Sequence, residues 1–490
     1  MLEFSGNEKN GNASQHPAGY RKCAAYKNRI RFTPLQRIKM AKKLHFVGIG
    51  GNGMSALAQI HAMSGDTVTG SDRLLDKGYA SLPLWEKLKA LGIGLFAQDG
   101  NAITKDLDAV IFSSAIEDDN PDSIKTKELG LKTIHRSELL SEHVSSFKTV
   151  AVSGTSGKST VTAMIYEILQ RSGCSPSVIT GAPIISLQDS GLLGNVSRGK
   201  SDILVIEADE SDGSLVNYRP DIGLMLNLTK DHKELDILYA YFRKFKANCA
   251  RFLVNADEKN LSEFAKGSMT FGLEKGDTRA ENVRLEPFRC LFTVKGVEFT
   301  VPEPGLYNVQ NSIAAIAAAV NLGVSLEDCA KSLAKFKGVA RRFNSIGTYN
   351  GIEVIDDFAH NPAKISAAMS AAHLRGKRVL AFYQPHGYAP VKLLKNELIE
   401  AFAASLNAED IIWFPEIYYI GGTVSKDVSS KDIVGPLRAK GKNANFTASR
   451  EEIISEIAKS AKPGDVVIVM GARDPTLTDY ARLLFNAISH

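Results

Sequence analysis

The stretch Val150–Leu169, VAVSGTSGKSTVTAMIYEIL, holds residue types whose order suits phosphate chemistry. Gly154-Thr155-Ser156-Gly157-Lys158-Ser159-Thr160 follows an apolar strand-like run and opens a periodic apolar helix. In that setting the backbone N–H groups cradle phosphate, the lysine reaches its β/γ oxygens, and the Ser159 hydroxyl meets Mg2+. The plain alternative is a lysine on a solvated turn, which requires strand, glycine, lysine, hydroxyl and helix to fall in order by accident. The strict pattern G-x-x-x-x-G-K-[ST] would put glycine at position 152, where Val152 stands.

A phosphate-bound Mg2+ needs further oxygen ligands. The run DILVIEADESDGS ends in Glu207, Asp209, Glu210 and Asp212. Side chains alternate along a strand, so Glu207 and Asp209 share one side. Glu207 still belongs to the apolar run, where an unpaired carboxylate is costly, so a cation is its expected partner; Glu210 and Asp212 read as solvated loop. The run IGLMLNLT ends in Lys230-Asp231-His232. Ligand sites of open α/β sheets form at the carboxyl ends of strands, which makes His232 a candidate ligand for a second metal.

A second glycine loop, Gly48-Ile49-Gly50-Gly51-Asn52-Gly53, lies between a strand-like run and a helix, with Asp72 at the end of the next strand. This is the fingerprint of a pyrophosphate held at a helix N-terminus. It leaves three readings open: an NAD-dependent oxidoreductase, another pyrophosphate carrier, or a glycine turn needed only for packing.

These loops require sheets to hold them. From Lys43 onward, short apolar strands alternate with helical patterns, the rhythm of parallel sheets covered by helices in an α/β protein. The first unit contains LHFVGIG, a helix from Met54, TVTGSD, AVIFSSA and a helix around Ile124–Leu129; the second starts at Thr149; the third starts near Phe336, with GIEVIDDFAH, KRVLAFYQP, DIIWFP and DVVIVMGARD as strands. Linkers are expected at Ser141–Phe147 and Lys335–Val339. A chain of 490 residues agrees with about three domains.

Composition excludes several classes. With 44% hydrophobic and 23% charged residues and no apolar run near the roughly 20 needed to cross a bilayer, a soluble, cytoplasmic protein without membrane insertion is expected. The net charge of +5 is uneven: residues 1–43 hold ten Lys or Arg against Glu3 and Glu8, so the remainder is net −3, which argues against a nucleic-acid surface. Residues 1–41 read as a basic flexible extension. Cys23, Cys174, Cys249, Cys290 and Cys329 lack disulfide or zinc spacing, which suits a reducing compartment.

In order along the chain stand HFVGIGGNGMS, SGTSGKSTVTAMI, EADESDGS, NLTKDH, GLYNVQNSIAAIAAA, GVARRF, DDFAHNP and QPH. Together these motifs resemble the Mur ligases, ATP-dependent amide-forming enzymes of peptidoglycan precursor synthesis, over the chain from about Lys42 to its end. The short phosphate loop without a leading glycine is the family's form. The resemblance implies three domains: an N-terminal Rossmann-like one for UDP-sugar (42–147), a central ATP-binding one with a P-loop ATPase-type parallel sheet (148–335), and a C-terminal Rossmann-like one for the amino acid (336–490).

It further implies that the first loop grips the diphosphate of UDP-N-acetylmuramate, with His45, Gly48, Gly50, Gly51, Gly53, Ser71, Asp72, Ser113 and Ser114 lining that pocket, and His360 and His386 serving substrate. Gly154 to Thr160 would hold ATP, with Ser159 and Glu207 on one Mg2+ and His232 on a second. Asn308 and Asn311 would approach adenine, Arg342 the phosphates and Asp357 the ribose side; on their own residue types these would be a helix cap, a surface cation and an N-cap. Lys158, Glu207, His232 and Arg342 would form the catalytic set. The implied reaction joins UDP-N-acetylmuramate to an amino acid, L-alanine foremost, through an acyl phosphate, in a monomer or homodimer; a recycling ligase that attaches a tripeptide is the rival.

Two departures stand out. The family's phosphate loop usually carries His then Thr where Ser156 and Ser159 stand, and its alanine-adding members usually carry two arginines where Gly387 and Pro390 follow His386. An arginine fork is the natural clamp for a carboxylate, so the incoming amine is left open, with Lys392 and Lys395 as replacement candidates. Lys246 stands in a helix as a candidate for modification. The extension shows no periodic apolar face, so a chain starting at Met40 is expected to keep full activity and melting temperature, as enzyme assay and thermal melting would show.

Overall fold

A computed structural model describes residues 41–76, 83–211, 213–229, 234–419 and 426–490. The expected linker at Lys335–Val339, and every strand expected from the sequence, lies within them, whereas the extension and His232 lie outside. No helix among the described residues is long and apolar enough to cross a membrane.

Three α/β sheets follow one another. The first holds five parallel strands in the order Gly94–Phe96, Thr67–Ser71, Lys43–Val47, Ala109–Phe112, Thr133–His135. Its first strand feeds the helix Asn52–Met63, so the glycine loop Gly48–Asn52 sits at the carboxyl end of the central strand. The second sheet is built around Lys148–Ser153, flanked by Ile222–Met225 and Ile203–Glu207, and is parallel except at the edge strand Val196–Ser197. Lys148–Ser153 feeds the helix Lys158–Arg171, which is buried well beyond its periodic apolar face, with Thr162 and Glu167 enclosed as well. The third sheet orders Asn344–Tyr349, Ile352–Asp357, Asp465–Gly471, Arg378–Gln384, Ile411–Phe414 and Asn443–Phe446, with only the first pair antiparallel.

Two features differ from the sequence reading. Ser141–Phe147 is no loop: Ser141–Ser146 form the end of the helix Arg136–Ser146, which a capping box of His135 and Glu138 starts and which buries Leu139, Leu140 and Val144. A three-stranded antiparallel sheet, Glu281–Glu286, Arg289–Val294 and Val297–Val301, also stands beside the second sheet. Its middle strand alternates exposed and buried residues, the period of a sheet with one wet face.

The units are unequally joined. One apolar cluster runs from Phe46, Leu57 and Trp85 of the first sheet to Ile206, Phe242 and Phe264 of the second, whereas the third sheet keeps separate clusters on its two faces. The segment 180–195 meets all three. Gln59 Nε2 donates to Asn195 Oδ1 at 3.0 Å and Lys87 Nζ to Leu192 O at 2.8 Å from the first unit. Ile184 bridges to Val339, and Ala340 N donates to Pro183 O at 2.8 Å, at the approach to the third.

Candidate functional site: a nucleotide cleft and a second glycine loop

The loop Gly154–Gly157 leaves the central strand of the second sheet and ends at the helix Lys158–Arg171, with Gly157 as N-cap at φ 85°. A β-carbon at Gly157 would lie 2.7 Å from Asn311 Oδ1, so only glycine lets the loop and the helix Leu306–Asn321 approach this closely. Asn227 braces the loop: its Oδ1 accepts from Ser156 N at 2.8 Å and from Thr155 Oγ1 at 3.0 Å, and its Nδ2 donates to Ser156 O at 3.1 Å.

Lys158 is nearly enclosed. Its Nζ donates to Gly154 O at 2.8 Å and to Glu210 Oε2 at 2.7 Å, with Asp209 Oδ1 at 3.5 Å. Burial works against the ammonium, but Glu210 and Asp209, with Glu207 beyond them, outweigh it and hold its pKa above the ordinary lysine value. Glu210 is itself only 4% exposed, so it is the lysine's buried partner and not a solvated loop residue. Glu207 ends the neighbouring strand and accepts at Oε1 from Gly181 N at 2.7 Å and from Thr180 Oγ1. Ser159, in the first turn of the helix, is 7% exposed.

These groups line one cleft of about 770 Å3 between the second and third sheets, together with Asn308, Asn311, Arg342, Asp357, His360 and His386. Asn308 donates from Nδ2 to Pro304 O at 2.8 Å and so stitches the first turn of its helix to the preceding chain. Arg342 stacks over the Phe358 ring at 4.5 Å; burial lowers its pKa, against the pull of Asp357 and Glu207. Asp357 accepts from Phe343 N and Ala359 N, both at 2.6 Å, and burial raises its pKa. His360 Nδ1 lies 2.8 Å from Phe358 O, and its ring stands 5.7 Å from that of His386.

The residues expected to hold UDP gather elsewhere: none of the described residues between 43 and 147 lines this cleft. Gly48 N and Ile49 N donate to Ser71 O, tying the first glycine loop to the next strand end. Asp72 accepts from Gly50 N at 2.8 Å and from Leu74 N at 2.9 Å, so its carboxylate braces this loop as Asn227 braces the other. A β-carbon at Gly50 would lie 2.8 Å from both Asp72 Oδ2 and Trp85. Gly53 faces Arg136, and Ser113 and Ser114 follow the adjacent strand end. His45 and Ser71 are fully buried: His45 Nδ1 meets Thr69 Oγ1 at 2.8 Å, and Ser71 Oγ donates to Asp122 Oδ2 at 2.5 Å. Both thus act beneath the loop. Burial pushes the Asp122 carboxyl up, but His45, Ser71 and the Gly100 N–H outweigh it and hold it below the usual carboxylate range.

Of the other sequence candidates, Lys392 pairs with Asp427 at 2.5 Å on the surface, and neither it nor Lys395 lines the cleft. Lys246 donates to Phe264 O and Lys266 O, also away from the cleft.

Two phosphate-type loops on successive parallel sheets, and a third sheet closing over the second loop, define a nucleotide-dependent ligase of three α/β domains. The chain belongs to the Mur ligase family: the family's catalytic domain matches residues 43–148, its middle domain 152–319 and its glutamate ligase domain 341–473. It is 35% identical over 447 residues to the UDP-N-acetylmuramate–L-alanine ligase of a Sulfurihydrogenibium species, covering 88% of this chain and 95% of that one. Among solved structures, the UDP-N-acetylmuramate–alanine ligase of Thermotoga maritima superposes with a TM-score of 0.74 at 28% identity, covering 91% of this chain and 98% of that one. A murein peptide ligase from Psychrobacter arcticus gives 0.63 at 25% identity, covering 92% and 99%.

Two outcomes test this geometry. Lys158→Ala is expected to lower ATP-dependent phosphate release by roughly 10²-fold or more, with native circular dichroism at 25 °C but a lower melting temperature, because Glu210 is left buried without its cation. Asp122 contributes stability that is present above its unfolded pKa of about 3.9 and is lost as pH falls through its lowered folded value. The melting temperature of Asp122→Asn should therefore fall short of wild type at pH 6, and the gap should narrow as the pH is lowered below about 4.

Proposed function

We propose that the protein joins the lactyl carboxylate of UDP-N-acetylmuramate to the amino group of L-alanine at the expense of ATP. Residues 42–147 hold the UDP-sugar, 148–335 the ATP and 336–490 the amine. The observation that carries this reading is the pairing of two separately braced glycine loops, one at the enclosed cleft and one outside it, since a substrate borne on a diphosphate and an ATP each require one.

The carboxylate oxygen attacks the γ-phosphorus of ATP, giving acyl phosphate and ADP. The amine then attacks the acyl carbon and loses its proton, and inorganic phosphate leaves from the tetrahedral intermediate. Negative charge gathers between two anions, and Lys158 and Arg342, which both line the cleft, compensate it. Asn308 and Asn311 face the base, and Asp357 the ribose side.

The Ser159 hydroxyl and the Glu207 and Asp209 carboxylates all line the cleft and form an oxygen-only donor set, which suits Mg2+. Ser159 and Glu207 would hold it, with His232 serving a second ion. When bound, the metal supplies charge neutralisation on the phosphate oxygens. Lys158 remains the group that orients the terminal phosphate, and Thr180 and Gly181 keep Glu207 turned toward the cleft.

The deciding assay is phosphate release with ATP, Mg2+ and UDP-N-acetylmuramate against L-alanine, L-serine, glycine and the tripeptide. L-Alanine is expected to give the highest kcat/KM. A tenfold preference for the tripeptide would instead assign the recycling reaction, and tight NADH binding without response to UDP-sugars would restore the oxidoreductase reading.

A further inference from the structure

We propose that Arg473 clamps the carboxylate of the incoming amine, in the role left vacant at Gly387 and Pro390. This rests on the ligase reading above and names the residue through which that site recognises its second substrate.

The third sheet brings three strand ends side by side: Ile352–Asp357, Asp465–Gly471 and Arg378–Gln384. The outer two lead to His360 and His386, whose rings stand 5.7 Å apart in the cleft. Arg473 follows the strand between them and lines the same cleft. Carboxyl ends of parallel strands are where such sheets bind ligands, and the middle strand of the three is the one that leads to Arg473.

Its backbone is held in an uncommon form. Arg473 has φ 57°, a left-handed conformation that L-residues adopt at a cost. The residues around it are fixed: Gly471 O accepts from Arg341 Nη2 at 2.8 Å, Asp474 N donates to Ala472 O at 2.7 Å, and the Asp474 carboxylate takes Arg450 and Thr476. A tightly pinned loop thus presents one exposed arginine to the cleft. Its guanidinium makes no ion pair with any described residue.

Three further lysines and arginines among the described residues line the cleft, Lys158, Arg342 and Lys364; the first two are differently committed, and Lys364, near the start of the helix Pro362–Arg375, is the rival clamp. Lys158 is held by Glu210, and Arg342 lies over Phe358 beside Asp357. The sequence after His386 offers none: Gly387 caps the helix Tyr388–Ser405, and Pro390 packs against it in the first turn. The planar fork of arginine matches a carboxylate with two parallel hydrogen bonds, which a lysine cannot reproduce.

The test is steady-state kinetics of Arg473→Gly, Arg473→Lys and Lys364→Ala in the full-length chain, varying L-alanine, ATP and UDP-N-acetylmuramate in turn. Arg473→Gly also relieves the left-handed backbone, so it should melt no lower than wild type, which separates lost recognition from lost folding. It is expected to raise the KM for L-alanine roughly ten- to hundredfold, with the other two KM values within about twofold. Arg473→Lys should recover part of the loss. L-Alaninamide, which lacks the carboxylate charge, should be used alike by wild type and Arg473→Gly. An unchanged KM for L-alanine, a rise in the KM for ATP instead, an equal loss with the amide, or a loss confined to Lys364→Ala would each overturn the proposal. A wild-type enzyme that ignores L-alanine contradicts the functional reading alone; the same series then runs on the carboxylate-bearing amine it does use.

Discussion

The cleft depends on keeping a lysine ammonium charged where water scarcely reaches it. A buried cation is stable only against well-placed anions, and removing one partner of such a pair is far more damaging than never having built it. Lys158 meets this condition through Glu210, Asp209 and the carbonyl of Gly154. These contacts fix much else. The chain after Ile203–Glu207 must turn back over the phosphate loop, the loop must stay narrow enough to offer its carbonyl, and Asn311 must press against Gly157 from the opposite helix. The loop is therefore held in shape by contacts of the chain itself, with its lysine kept charged.

The two glycine loops solve one steric problem by different means. Each turns from a strand into a helix, and amides of each are tied to a residue at an adjacent strand end. Asp72 is that residue for the first loop and Asn227 for the second. Asp72 tolerates its place beside this loop because both its oxygens are engaged by backbone N–H groups.

The glycines, the strand ends and the order of the motifs were legible because each answers to a local rule: a backbone turn, an alternation, a helix start. Partners that meet only after folding were not. Glu210 reads as a solvated acid until the strand beside it brings it to a lysine 52 positions earlier. Asp72 has the residue type and spacing of a ligand contact, and its bracing role appears only when Gly50 and Leu74 are seen to donate to it. His45 and Ser71, expected to line a pocket at the first loop, are fully buried, because sequence says nothing of which side of a loop is wet. The helix over Ser141–Ser146 was missed because its polar residues outnumber the three apolar ones that it buries. Arg473 carries no local signal at all; its left-handed backbone and its place between two histidines exist only in the assembled sheet.

The segment 180–195 gives the molecule a shared bearing. Asn195 is gripped by Gln59 of the glycine-loop helix, and its carbonyl accepts from Thr180 N at 2.9 Å; Thr180 in turn holds Glu207, while Ile184 rests against Val339. A tilt of the first helix therefore pulls on the same few residues that orient the acid in the cleft, and a swing of the third sheet must first part Val339 from its bridge. One stretch of about sixteen residues therefore touches the glycine-loop helix, the acid in the cleft and the approach to the third sheet, so a single substitution within it disturbs contacts in all three units.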